Sequence, residues 1–173
     1  MEVKTCSITP VDIEILSAIA RQTFYDTFTG TCTEEDMQSF LMAHFNKNKL
    51  LDEIKNRNNH FYFAKIKDVP AGYIQFAEDY NSFPIMKKWK ALELKRLYVQ
   101  EEFHGKGIAQ KLMELITDYA LQQKYEVIWL GVWEHNLRAK NFYKKNGFKD
   151  SGYTHNFPIG NTPQTDNWFW KFL

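Results

Sequence analysis

A chain of 173 residues that is 44% hydrophobic, 16% aromatic and carries a net charge of +1 has enough apolar matter for one domain, expected over residues 1–173. Its Lys and Arg are dispersed, in runs no longer than pairs such as Lys87-Lys88 and Lys144-Lys145, which argues against nucleic acid or a membrane surface as partner. The two cysteines, Cys6 and Cys32, suit neither a disulfide scaffold nor a metal site. The start MEVKTCSITP lacks the apolar run of a signal peptide, and no segment approaches the roughly 18 apolar residues of a membrane span, so a cytoplasmic setting is expected.

Val3 to Ile8 reads as a strand. Thr9 can then cap a helix, with Pro10 at its first position and Asp12 completing a capping box. Ile13, Leu16, Ala20 and Phe24 give that helix an apolar stripe, and it ends in the aromatic run TFYDTF before Gly30. Thr33 followed by Glu34, Glu35 and Asp36 starts a second helix, where acids suit the dipole. A further helical piece is expected from Leu50 to Arg57. Phe61 to Ile66 and Ala71 to Ala77 read as a hairpin turned by Asp68-Val69-Pro70, and Glu78 to Lys90 as a loop. Ala91 to Val99 is the central strand, followed by a turn and a long amphipathic helix through Ile108, Leu112, Leu115, Ile116, Tyr119 and Ala120. Val127 to Trp133 is an almost wholly apolar strand. Asn136 to Lys145 is a helix with Asn136 as cap and Gly147 past its end. Phe148 to Asn156 and Asn167 to Leu173 close the chain as strands. The order β-αα-βββ-α-β-α-ββ is α/β with a mixed sheet of about seven strands.

The central strand changes phase. Leu92 and Leu94 share one face, whereas Leu97 and Val99 fall on the other by period two. A one-residue bulge would restore a single core face; burial of the strand on both faces is the alternative.

Two motifs carry chemistry. The turn His104-Gly105-Lys106-Gly107-Ile108-Ala109 lies between this strand and its helix, so small residues and a helix N-terminus could receive a pyrophosphate. Two glycines also serve many turns that hold no ligand. The spacing fits neither the dinucleotide fingerprint nor the P-loop. The second motif, Asn136 to Phe148, has an ordinary reading as a capped helix with Ala139, Phe142 and Tyr143 in the core. The five histidines have no ligand spacing, so no metal is expected.

Together, HGKGIA and N-x-x-A-x-x-F-Y-x-x-x-G-F resemble the GCN5-related N-acetyltransferase superfamily over nearly the whole chain, with His104 where that family usually has Arg or Gln. TFYDTF, IWLGVWEHN, NFYKKNGF and the closing QTD look like bacterial PaiA-type spermidine/spermine acetyltransferases. The resemblance implies a single-domain fold of that superfamily that moves an acetyl group from acetyl-CoA to a small primary amine, polyamines first. A protein N-terminal or lysine acetyltransferase is an alternative, as is a non-catalytic CoA-sensing regulatory protein. It allows a homodimer.

The resemblance also implies roles. Backbone of Leu97, Tyr98 and Val99 would pair with the pantetheine arm like an added strand, and one N–H there would bind the acetyl carbonyl. His104, Gly105, Lys106, Gly107, Ile108 and Ala109 would wrap the pyrophosphate, with Asn136 and Lys145 along the cofactor. Tyr143 would protonate the departing thiolate. An amine attacks only when neutral, so a proton acceptor helps. Glu93 is the expected base, with a strand acid paired to a lysine as its ordinary reading. Phe24, Tyr25 and Phe28, joined by Tyr73 and Trp133, would wall the acceptor channel beside acids such as Glu34, Glu35, Asp36 or Glu78; the plain reading makes these aromatics core.

Overall fold

In the computed structural model, which describes residues 2–173, the strands are β1 (Val3–Ser7), β2 (Asn59–Ile66), β3 (Val69–Ala77), β4 (Ala91–Val99), β5 (Val127–Trp133), β6 (Lys149–Asn156) and β7 (Thr165–Phe172). The helices are α1 (Ile13–Phe28), α2 (Glu34–His44), α3 (Lys47–Lys55), α4 (Ile108–Gln122) and α5 (Leu137–Lys145). All strands join one sheet in the order β1-β2-β3-β4-β5-β7-β6. Among the described residues only β4 and β5 run parallel, which makes the sheet mixed, as expected.

Local chemistry sets most boundaries. The Thr9 N–H donates to Asp12 Oδ2 at 2.9 Å, and Pro10–Asp12 form a short 3-10 turn from which α1 continues. Thr33 caps α2 by accepting the Asp36 N–H, and Asn46 caps α3 by accepting the Lys49 N–H. That second cap starts α3 three residues before the expected Leu50. The hairpin turns one residue earlier than Asp68-Val69-Pro70 suggests: Lys67 and Asp68 both have positive φ, 47° and 65°, the pair of angles that a tight two-residue hairpin turn requires. Pro70 lies within β3, beside a register shift between Ala64 and Lys65. Within the expected Glu78–Lys90 loop, Pro84–Lys88 forms a 3-10 turn.

Helices cover both faces of the sheet. On one, α4 buries Ile108, Leu112, Met113, Ile116 and Ala120 against Leu92, Leu94, Ile128 and Leu130. Each such Leu or Ile contributes about 1.5–3 kcal/mol relative to exposure. On the other, α1, α2 and α3 bury Phe24, Phe40 and Leu50 against Phe61, Phe63 and Tyr73. A smaller cluster of Phe83, Trp129 and Trp168 extends this face toward β7.

The centre of the sheet is where regular pairing fails. Against β3, Leu94 pairs with Phe76 and Arg96 with Gln75, which leaves Lys95 as an extra, unpaired residue. This bulge returns Leu97 and Val99 to the α4 face that Leu92 and Leu94 occupy. Ala91 to Leu94 are all buried, so the first half of β4 is also covered on both faces. Beside it, β4 and β5 pair only through Ala91–Val127, Leu92–Ile128 and Glu93–Trp129. Past that point they diverge, while β5 stays paired with β7 through Trp133–Asp166. The sheet therefore opens into a wedge.

Candidate active site

A cleft of about 740 Å³ fills this wedge. Its walls come from β4 (Leu94 to Val99), the end of β5 (Gly131 to Trp133), the start of α5, the end of α1, and Asp166 on β7.

One end is built from backbone. Gln100 N–H donates to Ala71 O at 2.9 Å. By the alternation of an antiparallel ladder, Tyr98 then also bonds toward β3, whereas Leu97 and Val99 turn their N–H and C=O groups into the wedge. Tyr98 instead lines the cleft with its ring, stacked on Tyr73 at 5.9 Å. Below the strand, Gly105 and Gly107 take φ of 76° and 77°, the left-handed conformation that suits glycine. Gly107 is the residue before α4; no side chain caps this terminus and no acid sits in its first turn. The first N–H groups of α4 thus lack intrahelical partners.

His104 anchors a side-chain relay at this end. Its Nε2 lies 2.9 Å from Val99 O, and its Nδ1 lies 2.9 Å from Arg138 Nη1 at the start of α5. Arg can only donate, so Nδ1 accepts, and Nε2–H donates to Val99 O. Arg138 is thereby held at the cleft wall beside His104.

Tyr143 reaches the cleft from α5 and is 8% exposed. Burial, reinforced by neighbouring Tyr98, pushes its hydroxyl up and keeps it protonated. Asn136 caps α5 by accepting the Ala139 N–H at 3.0 Å, and it also lines the cleft.

The far end is built from side chains on the α1 face of the sheet. Phe28 meets Trp133 at 5.4 Å between ring centres. Thr23, Asp26 and Thr27 come from the adjoining face of α1. Asp166 faces the same space from β7, where burial pushes its carboxyl up to about 7. Its Oδ1 is buried without a hydrogen-bond partner, as is Trp133 Nε1. Asp166 falls within the closing QTD and Arg138 within the motif from Asn136 to Phe148, but the sequence motifs assign neither a role.

Of the expected site residues, Leu97, Tyr98, Val99, His104, Ala109, Asn136, Tyr143, Phe28 and Trp133 line the cleft. Gly105, Lys106, Gly107 and Ile108 form the turn and helix start beside it. Lys145 is exposed at the other end of α5 and does not line it. Phe24 stacks within the core, 4.6 Å from Phe28 and 4.7 Å from Phe40, and Tyr73 is fully buried. Tyr25 turns outward, its hydroxyl donating to Glu34 at 3.3 Å. Asp36 binds Asn161 N–H and the Thr162 hydroxyl, and Glu78 accepts from Tyr80 and Tyr125. Glu93 is buried and outside the cleft lining; Lys95 Nζ lies 3.1 Å from its Oε2 and donates to Asp79 at 2.7 Å. Burial pushes the Glu93 carboxyl up against the pull of Lys95.

A thioester on an extended arm ending in a pyrophosphate fits the backbone end. Leu97 and the Val99 N–H, turned away from β3, offer a strand edge for the arm, and α4 offers uncapped N–H groups for the anion. A Cβ built on Gly107 would meet no protein atom within 4 Å, so the approach to that terminus is open. Among the described residues, no group of three or more His, Cys, Asp or Glu could hold a metal ion, and no helix is long and apolar enough to cross a membrane.

Residues 19–148 match the profile of the family described as Acetyltransferase (GNAT) family. An uncharacterized N-acetyltransferase of Lactobacillus delbrueckii subsp. lactis is 35% identical over 165 residues, covering 95% of this chain and 94% of that one. A spermidine N(1)-acetyltransferase of Thermoplasma acidophilum is 28% identical over 155 residues, covering 86% and 88%. The crystal structure of the PaiA N-acetyltransferase from Thermoplasma acidophilum in complex with coenzyme A superposes with a TM-score of 0.81 at 25% identity, over 100% of both chains.

Proposed function

Because the chain belongs to the acetyltransferase (GNAT) family and is an N-acetyltransferase that takes acetyl-CoA as donor, we propose that its acceptor is a small primary amine with more than one positive charge, a polyamine first. The observation that carries this reading is the unneutralised acid at the acceptor end of the cleft. Lys95 and Arg96 line the cleft but are paired, Lys95 with Asp79 and Glu93, Arg96 with Glu53 at 2.6 Å. Asp166 and exposed Asp26 have no such cationic partner among the described residues, beside the aromatic wall of Phe28 and Trp133. Aromatic faces and carboxylates together suit an alkylammonium ion. The similarity to a spermidine N(1)-acetyltransferase supports the same choice.

Acetyl-CoA supplies an activated acetyl group when bound. Leu97 and the Val99 N–H align it through backbone groups turned away from β3, and an N–H turned into the wedge stabilises charge that develops on the acetyl oxygen. The α4 terminus holds the pyrophosphate, and Arg138, steadied by His104, adds a positive charge there. Tyr143, kept protonated by burial, gives its proton to the departing sulfur. A proton-accepting role for Glu93 would pass through Lys95 or water, since its carboxylate does not line the cleft.

The experiment is thiol release from acetyl-CoA in the presence of spermidine, spermine, monoamines, amino acids, aminoglycosides and short peptides. Release with the polyamines at the highest kcat/KM is the expected result. A preference for peptide N-termini or lysine side chains would replace the polyamine assignment. Acetyl-CoA binding without release on any amine would leave a sensor.

A further inference from the structure

The mechanism above gives no proton-transfer task to Asp166, a half-buried acid in the cleft whose Oδ1 is buried. Asp166 lies on β7 at the point where β4 and β5 have already separated. Along this strand Asp166, Trp168 and Trp170 share one face by period two, so a lone acid stands at the edge of an aromatic surface. Gly131 lies beneath it on β5. A Cβ there would come within 3.0 Å of Asp166 Oδ2 and 2.7 Å of Trp168 Cζ3, so the glycine is what lets the carboxylate pack over the sheet. Among the described residues Asp166 has no ion-pair partner, and its buried Oδ1 accepts no hydrogen bond. A native protein rarely buries such an oxygen without a ligand or a task.

We propose that Asp166 binds the reacting primary ammonium of the acceptor at the inner end of the cleft and takes its proton before transfer. This rests on the acetyltransferase reading above and names the group that reads its substrate. Asp166 takes one proton from the ammonium, and the freed lone pair forms the N–C bond as the C–S bond breaks. Tyr143 gives its proton to the sulfur. The second nitrogen proton leaves to water, from which Tyr143 is restored. The sum is one amide, one thiol and one released proton, with no further reactant.

The surroundings suit this task. Facing Asp166 are Tyr98 from β4, His155 in register from β6, Asp26 from α1 across the cleft, and His135 past the end of β5; β5 itself contributes only Gly131 and Trp133. Burial lowers His155 and raises Tyr98, so both are neutral near pH 7 and neither is a counter-charge for the carboxylate, whose Oδ1 also receives no hydrogen bond from them. With its carboxyl pushed up to about 7, Asp166 is a proton acceptor matched to neutral pH rather than an inert carboxylate.

The test compares the wild type with Asp166→Asn and Glu93→Gln, using spermidine and butylamine as acceptors from about pH 6 to 9. Asp166→Asn should lower kcat by about 100-fold with both amines and abolish the inflection near pH 7. Coenzyme A affinity, measured by calorimetry, should be unchanged, which also reports an intact fold. A wild type that acetylates no amine would end the underlying reading. A wild type active on amines beside an Asp166→Asn variant with the same rate and profile would end this proposal alone. So would loss of the inflection in Glu93→Gln but not in Asp166→Asn, or an Asp166→Asn effect confined to KM. A readout without turnover exists as well. A raised carboxyl favours folding below its unfolded value, and that gain is lost as pH rises through about 7. The melting temperature of the ligand-free wild type should therefore fall relative to Asp166→Asn between about pH 4 and 8, and saturating spermidine should close the gap at the upper end. Parallel melting curves at every pH would contradict the burial of Asp166 Oδ1 without a partner.

Discussion

At the donor end of the cleft the protein offers main chain: the edge of Leu97 and the Val99 N–H turned away from β3, the uncapped start of α4, and two glycines whose φ no other residue adopts easily. At the acceptor end it offers side chains drawn from α1, β5 and β7, chiefly Phe28, Trp133 and Asp166. The donor end comes from thirteen consecutive residues, Leu97 to Ala109, with Arg138 added from α5. The acceptor end spans positions 23 to 166 and exists only once the sheet has closed. Backbone recognition tolerates changes of side chain but not of conformation. Side-chain recognition tolerates conformational adjustment but not a change of residue. The donor end should therefore respond to mutations that alter φ, and the acceptor end to mutations that alter chemistry or volume.

The largest effect should come where the two ends meet. Tyr143→Phe removes the proton donor while keeping the ring packed against Phe142 and Phe148. We expect kcat to fall about 100-fold, near 2.7 kcal/mol, with coenzyme A affinity unchanged. Steady-state rates and calorimetric binding separate the two, and normal turnover would remove Tyr143 from the chemistry.

Next comes a backbone break. In Gly107→Val the new Cβ meets no neighbouring protein atom, so the loss is expected from φ of 77° and from obstruction of the helix terminus. Left-handed strain costs about 1–2 kcal/mol, so coenzyme A should bind about 10-fold more weakly or worse. Unchanged binding in a folded variant would show that the pyrophosphate lies elsewhere. The mirror experiment at the other end is Gly131→Ala. Its φ is ordinary, but the new methyl must displace Trp168 or Asp166. KM for the amine should rise several-fold, roughly 1 kcal/mol, with coenzyme A affinity intact. Equal damage to both substrates would mean that the ends are not independent.

The difference between the ends also explains what could be read from the sequence. The donor end was legible because its parts are neighbours in the chain: the phase change in β4 announced the bulge at Lys95, and the two glycines announced the turn. In TFYDTF the aromatic letters drew attention as a substrate wall. The helix instead turns Phe24 into the core and Tyr25 outward, and the polar letters Thr23, Asp26 and Thr27 join Phe28 at the cleft. Hydrophobic burial claims aromatic residues first, and the face left over is what a ligand meets. Asp166 lies within the closing QTD, yet the motif assigns it no role, for a smaller reason. The last strand was expected from Asn167, but it begins at Thr165. Extending the alternation of Trp168 and Trp170 back by one step would have put the acid on the aromatic face.

The smallest predicted effect tests the one place where the donor end depends on side chains. His104 stands where its family usually carries Arg or Gln, and here it receives a hydrogen bond from Arg138, 34 residues later. Arg138 is exposed, so its attraction for phosphate is weakened by solvent, and Arg138→Ala should reduce coenzyme A affinity only about 3- to 5-fold. That loss should shrink further in high salt, because screening acts most on exposed charge. His104→Ala should cost a similar amount, since it frees Arg138 from the position that Val99 O and the imidazole fix. If the two residues act as one unit, the double variant loses little more than either single one. Losses that simply multiply would mean that His104 and Arg138 meet the cofactor separately, and the donor end would then hold two side-chain contacts rather than one positioned through the other.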